Sequence, residues 1–310
     1  MQLSIIIPVH NRPELLREAI DSIARQNLDS YEIIVCDDGS DTDIEAVCAE
    51  FNLSGDQLKY NRTEDSQGAQ VARNRGLSMA EGEFVMFMDS DDVLAAEGPM
   101  PLLEALGLDP ELQYAYGKVS RVDQSLQELP GDVPVGSTFP NDPVEIAGYH
   151  WHTMGAVYRK SYLELVGPWN VEMTGSQDWE YQARVKLAGG KRVFVDSMVG
   201  YWRQHGGDRV GTAKFRPDYV RSVMIGCESI LNIAREKQRC DSALERRLAK
   251  RLIVHALEWG ANGCWRERKD CFLQARDCLS SDLLFRAALM LVAHMPALLD
   301  GVFLKRITGR

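Results

Sequence analysis

Short apolar runs alternate with segments of helical periodicity in the N-terminal part of the chain. Apolar residues dominate 3–9, 31–36 and 84–88, and bounded runs of this length are typical of buried strands. Between the first two runs, apolar side chains recur three or four residues apart over 15–23, the spacing of one helix face. This alternation of strands and helices predicts an α/β fold with a doubly wound, mostly parallel sheet.

The pattern changes in the middle of the chain, where four prolines and three glycines within 128–149 predict a loop or lid. Helical spacing returns at 177–187 and dominates from Pro217 to the end. We therefore predict two regions: an α/β domain over 1–215 and a helical C-terminal region over 216–310.

Polar clusters follow the three apolar runs, at 10–12, 37–40 and 89–92. In a parallel sheet these strand ends share one edge, where open α/β sheets bind ligands. Two carboxylates two residues apart, Asp89 and Asp91, can share one hard cation and leave positions for phosphate oxygens. The clusters therefore predict a metal-assisted site for a diphosphate-bearing substrate. Two other interpretations stay open: acidic residues favour helix starts, and Asp-Gly forms simple turns.

The charge of the chain is uneven. Its 310 residues carry a net charge of −10, but residues 241–310 hold 12 basic and 8 acidic side chains. The remaining residues hold 23 basic and 37 acidic side chains, which argues against nucleic-acid binding. An acidic body also needs a cation to bind a phosphate-bearing substrate. No secretory signal pattern is visible, and the seven cysteines form no CxxC pair, so we expect a cytoplasmic location.

Four motifs together resemble family 2 glycosyltransferases: SIIIPVHNR at 4–12, VCDDGS at 35–40, GAQVARNRG at 68–76 and MDSDD at 88–92. The resemblance implies a GT-A-type, Rossmann-like fold, with nucleotide binding over about 1–95 and acceptor binding over about 96–215. It also implies an inverting, metal-dependent transfer of a sugar from a nucleoside diphosphate sugar, with a UDP-sugar favoured, to an acceptor hydroxyl. The acceptor would be a saccharide or a lipid-linked saccharide in bacterial surface polysaccharide or glycoconjugate synthesis.

The resemblance also implies roles for individual residues. The nucleotide-sugar site would consist of Pro8, Asn11, Asp37, Asp38, Arg73, Asp89 and Ser90. The Mn²⁺ or Mg²⁺ ion would be held by Asp91 and His205. Arg203 is a candidate fork donor to phosphate oxygens. A structural ion pair for Arg73 and a structural role for His205 stay open as alternatives.

Inverting transfer needs a carboxylate that deprotonates the acceptor hydroxyl. The segment TGSQDWEY at 174–181 is similar to the family's pattern around this base, which identifies Asp178, although Gln177 replaces the usual Glu. The first turn of a helix also favours such an Asp on dipole grounds alone. Candidate acceptor contacts are Trp151, His152, Gln177 and Trp179, and a core role is an equal alternative for both tryptophans.

Two rival functions remain. One is a sugar nucleotidyltransferase, although the first loop lacks the Gly-rich, basic character typical of that class. The other is a non-catalytic nucleotide-sugar-binding subunit, which the Gln177 departure keeps open.

The C-terminal segment 283–310 is apolar but is interrupted by Arg286, His294, Pro296 and Asp300, so it fails as a membrane span. One interpretation is peripheral contact with the inner face of the cell membrane. The alternative is packing on the catalytic domain or on a second copy in a homodimer.

Overall fold

The structure is a computed structural model that describes residues 3–129, 146–147, 151–204, 217–261, 264–280 and 282–294. The described part contains eight strands and ten α-helices. The strands are β1 (Leu3–Val9), β2 (Tyr31–Asp37), β3 (Leu58–Arg62), β4 (Phe84–Phe87), β5 (Val93–Leu94), β6 (Leu112–Val122), β7 (Ala156–Arg159) and β8 (Lys191–Arg203). The helices are α1 (Pro13–Ala24), α2 (Ile44–Ala49), α3 (Ala69–Met79), α4 (Met100–Leu108), α5 (Lys160–Val166), α6 (Gln177–Ala188), α7 (Pro217–Glu236), α8 (Ser242–Ala261), α9 (Trp265–Cys278) and α10 (Leu283–Ala293).

The strands form one sheet in the order β3-β2-β1-β4-β7-β6-β8-β5. The pairs β3-β2, β2-β1 and β1-β4 are parallel, β7 runs antiparallel to both of its neighbours, and β6 pairs with β8 in parallel. Every residue of β1, β2 and β4 is buried, as expected for strands covered on both faces. The predicted α/β fold with a mostly parallel sheet is confirmed. The sequence patterns did not predict β6 or β7.

The strand register places the polar clusters at one edge of the sheet. Val9 pairs with Asp37, and Ile6 pairs with Phe87, so β1, β2 and β4 end close together. Pro8, which has no N–H to donate, lies beyond the end of the β4 pairing. The loops that follow these three strands therefore meet where the sequence predicted a ligand site.

Helix α3 packs unusually close to the sheet at Gly76. A Cβ atom on this residue would lie 2.3 Å from Cγ2 of Ile6 and 2.9 Å from Sγ of Cys36. Real Cβ atoms do not approach so closely, so the contact between α3 and the sheet requires glycine here. The same helix carries Arg73 toward the edge where β4 ends.

The described residues fall into two compact units. The first contains 3–129, 151–171 and 188–204, with a core formed by the sheet and the helices that cover it. The second contains 146–147, 172–187 and the C-terminal helices, with its own core. The predicted division at residue 215 stays a prediction. Among the described helices, none combines the length and the apolar character needed to cross a bilayer.

Candidate functional site

The loop after β2 is organised by two buried carboxylates with different partners. Asp37 is fully buried, and it accepts hydrogen bonds from the Ser40 N–H at 2.9 Å and from the Tyr60 hydroxyl at 2.8 Å. Burial, together with this carboxylate, raises the pKa of Tyr60. Asp37 therefore acts within the protein, by joining the loop to β3.

Asp38 is bound by the loop that precedes α3. Its carboxylate accepts from the Ser66 hydroxyl at 2.8 Å, from the Gln67 N–H at 2.9 Å and from the Gly68 N–H at 2.8 Å. Gly68 has φ +99°, a conformation that favours glycine, and this turns its N–H toward Asp38. The sequence analysis did not identify Ser66, because its role depends on a contact 28 residues away.

Asn11 organises the loop after β1. It has φ +53°, and its side-chain oxygen accepts from the Asp41 N–H at 2.7 Å and from the Thr42 N–H at 3.3 Å. Its backbone N–H donates to Ser40 Oγ at 3.0 Å. Asn11 thus joins the ends of β1 and β2, in agreement with its predicted place at the sheet edge.

Arg73 and Asp89 form an ion pair at the end of β4. The guanidinium NH2 lies 2.5 Å from Asp89 Oδ1, and the guanidinium carbon lies 4.6 Å from the centre of the Trp169 ring. Burial alone would raise the pKa of Asp89, but the positive charge of Arg73, aided by His152 and Arg12, outweighs it and lowers the pKa. Asp89 is therefore kept ionised beside the guanidinium of Arg73.

Asp91 pairs with a different arginine. Arg12 NH1 lies 2.7 Å from Asp91 Oδ2, and the Asp91 side chain is only 10% exposed. Ser90 is buried between the two ion-paired aspartates in the chain. The arginines of α3 and of the loop after β1 therefore each bind one carboxylate of the predicted pair.

Arg203, the last residue of β8, binds the acidic loop formed by residues 89–92. Its backbone N–H donates to Asp92 Oδ1 at 3.1 Å, and its Nε donates to the Asp91 carbonyl at 3.1 Å. The two remaining guanidinium nitrogens bond the Gln124 carbonyl and the Glu18 carboxylate. Nε, NH1 and NH2 of Arg203 thus each donate to a protein acceptor in this structure, and the role of Arg203 as a phosphate donor stays a prediction.

A candidate metal site lies beside these ion pairs. Ligand atoms of Asp89, Asp92 and His152 lie within 4.8 Å of one another, and His152 Nε2 is 3.7 Å from Asp92 Oδ2. Ligands on opposite sides of an ion at about 2.2 Å are separated by about 4.4 Å, so small side-chain movements would complete this site. Two carboxylates and one imidazole form a donor set that suits Mn²⁺ and also accommodates Mg²⁺.

This triad differs from the predicted metal ligands. Of those, Asp91 is paired with Arg12, and His205 lies outside the described residues. His152 was predicted as an acceptor contact, but the structure places it against Asp92. Pattern analysis had no signal for this contact, because it depends on how the chain returns to the sheet before β7.

In the second unit, Asp178 lies half-exposed in the first turn of α6. The carboxylate of Glu180, in the same helix, is buried and bound by Arg184 at 2.8 Å and by the Ser229 hydroxyl at 2.7 Å. Asp178 is thus the more accessible of these two acidic groups. Gln177 is buried at the start of the helix.

The turn before α6 is anchored to α7. Ser222 Oγ accepts from the Thr174 N–H at 2.8 Å and from the Gly175 N–H at 3.2 Å. The Ser176 hydroxyl is 2.8 Å from the Tyr219 hydroxyl. A pocket of 340 Å³ opens beside this turn. It is lined by Glu172, Thr174, Asp218, Arg221 and Ile225.

The two tryptophans predicted as acceptor contacts are buried. Trp151 is 1% exposed, donates to the Tyr158 hydroxyl at 2.7 Å and stacks on Tyr116. Trp179 is 2% exposed and donates to the Ala147 carbonyl at 3.0 Å. In this structure neither ring presents a face to a saccharide, so the geometry favours the core alternative for both.

The chain is similar in sequence to known glycosyltransferases. A GalNAc(5)-diNAcBac-PP-undecaprenol beta-1,3-glucosyltransferase of Campylobacter jejuni is 39% identical over 104 residues, 33% of this chain and 34% of that protein. The Escherichia coli UDP-Glc:alpha-D-GlcNAc-diphosphoundecaprenol beta-1,3-glucosyltransferase WfgD is 30% identical over 123 residues, 40% of this chain and 47% of that protein. The chain therefore spans less than half the length of each of these relatives.

A solved structure matches the whole fold. The crystal structure of S. aureus TarS 1-349 in complex with UDP-GlcNAc superposes with a TM-score of 0.69 at 19% identity, covering 100% of this chain and 93% of that one. This likeness confirms the predicted GT-A-type fold.

The family model described as Glycosyl transferase family 2 matches residues 4–167. This region contains all four motifs and the acid–arginine cluster, which is formed by Asp89, Asp91, Arg12 and Arg73. Because the match covers more than half of the chain, the protein belongs to glycosyl transferase family 2, as the motifs predicted.

Proposed function

We propose that this protein transfers a sugar from a nucleoside diphosphate sugar to an acceptor hydroxyl, with inversion at the anomeric carbon. The observation that carries the proposal is the acid–arginine cluster of Asp89, Asp91, Arg12 and Arg73 at the carboxyl edge of the sheet. This edge is where α/β sheets bind nucleotides. The undecaprenol-linked substrates named for two relatives favour a lipid-linked saccharide acceptor and a role in bacterial surface glycan synthesis.

The donor is proposed to be a UDP-sugar, in line with the UDP-GlcNAc complex of the TarS structure. A carboxylate has about four acceptor positions, and Asp38 uses three of them within the protein. We assign the remaining position to an N–H of the nucleotide base. Pro8 and Asn11 would line the same pocket, and Asp37 would support the pocket through its hydrogen bond with the Tyr60 hydroxyl.

Asp89, kept ionised by Arg73, is proposed to face the ribose and the diphosphate. The candidate ligands for Mn²⁺ or Mg²⁺ are Asp89, Asp92 and His152, with Asp91 available if Arg12 moves away. When bound, such an ion supplies positive charge that offsets the charge of the diphosphate. Arg12 and Arg73 bring fixed positive charge to the same region without an ion.

Asp178 is proposed as the general base. Its carboxylate takes the proton of the acceptor hydroxyl while that oxygen bonds to the anomeric carbon. The bond from the anomeric carbon to the diphosphate oxygen breaks on the opposite face, and the nucleoside diphosphate leaves with the electron pair. The half-exposed position of Asp178, in contrast to the buried Glu180, supports this choice. Acceptor binding is proposed at the pocket that shares Thr174 with the turn before α6.

The first test is a thermal-shift screen with UDP, GDP, TDP and CMP, each with and without Mn²⁺. A metal-dependent rise in melting temperature with UDP supports the donor assignment. An absence of any shift in well-folded protein contradicts it. The rivals are separated by the product: pyrophosphate release would indicate a nucleotidyltransferase, and binding without turnover would indicate a non-catalytic subunit.

The second test is Asp178→Asn. General-base loss lowers turnover by about 10²–10⁴-fold, while the thermal shift with UDP stays unchanged. The matched control is Asp270→Asn, which changes an exposed Asp of α9 and should leave turnover intact. Full turnover by the Asp178 variant would exclude the base assignment.

A further inference from the structure

Among the residues that the structure describes, helix α10 packs against its neighbours along one face. Leu289 and Ala293 are buried, at 4% and 5% exposure. Arg268 of α9 donates to the Val292 carbonyl at 3.1 Å, which fixes the end of α10 to its neighbour. One face of α10 therefore packs within the C-terminal helices.

The opposite face of α10 is apolar and exposed. Leu284 is 88% exposed and Leu291 is 69% exposed, and the exposed Ala287 and Ala288 lie between them. These four residues follow the spacing of three and four that defines a single helix face. A solvent-facing helix surface normally carries polar residues, whereas all four positions of this face are apolar. Covering this face with an apolar partner would therefore be favourable.

The surroundings of this face suit an anionic lipid surface. On α9, Trp265, Lys269 and Arg276 form a stripe at spacings of four and seven, and Trp265 is 53% exposed. Arg276 of that stripe contacts Met290 of α10 at 2.7 Å, so the stripe borders the exposed face. The charge of Arg276 is offset by Asp277, which lies 2.6 Å away, so Lys269 supplies the basic character of the stripe. Aromatic and basic side chains beside an apolar helix face are typical of helices that lie in a membrane interface.

The net charge favours the same partner. Residues 241–310 hold 12 basic and 8 acidic side chains, a net charge of +4, whereas residues 1–240 carry a net charge of −14. Basic residues near an anionic bilayer are attracted to its surface. The acidic remainder of the chain would be repelled, so attraction to anionic lipid is specific to this end.

The size of the face argues against a second copy of the chain as the partner. An eleven-residue helix is about 16 Å long and about 10 Å wide. This footprint is small beside the roughly 800 Å² per partner of a stable protein interface. A bilayer needs no matching surface, and an interfacial helix inserts about 5–10 Å.

We propose that α10 docks this protein on an anionic membrane surface, with Leu284, Phe285 and Leu291 inserted among the lipids. The helix lies in the plane of the interface and does not cross the bilayer. The proposal is independent of the proposed glycosyl transfer, since neither the nucleotide nor the acceptor enters the argument.

The test is flotation of the full chain with phosphatidylcholine vesicles, with and without phosphatidylglycerol. We expect co-flotation with the anionic vesicles that weakens at high salt, because salt screens the electrostatic part of binding. The double variant Leu284→Gln/Leu291→Gln should lower partitioning at least about tenfold, because each buried leucine contributes about 1.5–3 kcal/mol.

The matched control is Leu108→Gln/Leu165→Gln, which removes two leucines of α4 and α5 that are 86% and 76% exposed. This variant should float like the unchanged chain. Absence of flotation by the unchanged chain, equal flotation of the α10 variant, or equal binding to neutral vesicles would each overturn the proposal. Sedimentation without lipid completes the test: a dimer that the α10 variant dissociates would assign the face to a second copy.

Discussion

The replacement Asp38→Asn tests whether Asp38 organises the loop before α3. In the structure, one carboxylate oxygen accepts from the Gln67 N–H, and the other accepts from the Ser66 hydroxyl and the Gly68 N–H. An asparagine has only one acceptor oxygen. In either orientation of the amide, its NH₂ group would face at least one backbone N–H that also needs an acceptor.

The cost follows from these contacts. A hydrogen bond to a charged group contributes about 1.5–3 kcal/mol, and a buried donor left without an acceptor adds about 1–3 kcal/mol. We expect Asp38→Asn to lower the free energy of unfolding by about 2–4 kcal/mol, allowing for partial relaxation. With an unfolding entropy of about 2.1 cal/mol/K per residue, a chain of 310 residues would then lose roughly 3–6 °C in melting temperature.

The assay is thermal unfolding followed by circular dichroism, together with amide exchange at Gln67 and Gly68, which should become faster. The matched control is Asp41→Asn. Asp41 is exposed, and its carboxylate accepts a long hydrogen bond of 3.5 Å from Asn11 Nδ2, so little is lost when it becomes an amide. The control should change stability by less than about 0.5 kcal/mol. An unchanged melting temperature for Asp38→Asn would refute the reasoning. If UDP binding were lost in that same stable variant, Asp38 would act on the ligand and not on the loop.

Three further changes have defined outcomes. Gly76→Ala should cost about 1–3 kcal/mol in urea unfolding, because the added Cβ would lie 2.3 Å from an isoleucine side chain of β1. Gly107→Ala in α4, where the Cβ meets nothing within 4 Å, should be neutral or stabilising, and equal effects of the two would contradict this account. His152→Ala should weaken Mn²⁺ binding by at least about tenfold in calorimetry, whereas the exposed His294→Ala should not; unchanged affinity would remove His152 from the metal site. The pKa of Asp89 is lower in the folded state than in the unfolded state, where an Asp titrates near about 3.9. The stability that the ionised Asp89 contributes is therefore complete above about pH 5 and is lost as the pH falls below about 3.9 and through the folded-state pKa. Asp89→Asn should therefore flatten the acid limb of a stability–pH curve, and an unchanged limb would disprove the assignment.

Local sequence patterns predicted much of the fold. The buried runs of β1, β2 and β4 are continuous in sequence, so periodicity alone identified them. Their polar ends could be placed on one edge because parallel strands share a direction. The pairing of β6 with β7 and β8 depends on contacts far apart in the chain, and sequence periodicity does not encode such pairings.

The candidate site was predictable to the same extent. Motif resemblance located Asp38, Asp89 and Arg73, which the structure brings to the same edge. It did not predict that His152 would lie against Asp92, since that contact is formed by side chains 60 residues apart in the chain. The sequence also could not decide whether Trp151 is buried or exposed, because an aromatic residue in a loop-like segment has no local signal that distinguishes core from surface.

The bond from Arg203 to Asp92 has a consequence for synthesis of the chain. The two residues are 111 positions apart, and chains elongate at about 5–20 residues per second. The acidic loop therefore leaves the ribosome about 6–22 s before the arginine that braces it. During this interval Arg12 and Arg73 are already present to pair with Asp91 and Asp89, and His152, which lies 3.7 Å from Asp92, is made before β8. The backbone N–H of Arg203, which donates to Asp92, is still missing. A nascent chain that ends before Arg203 would lack the contacts of β8 with Asp91 and Asp92, so the acidic loop 89–92 is complete only after the last strand of the sheet has been made.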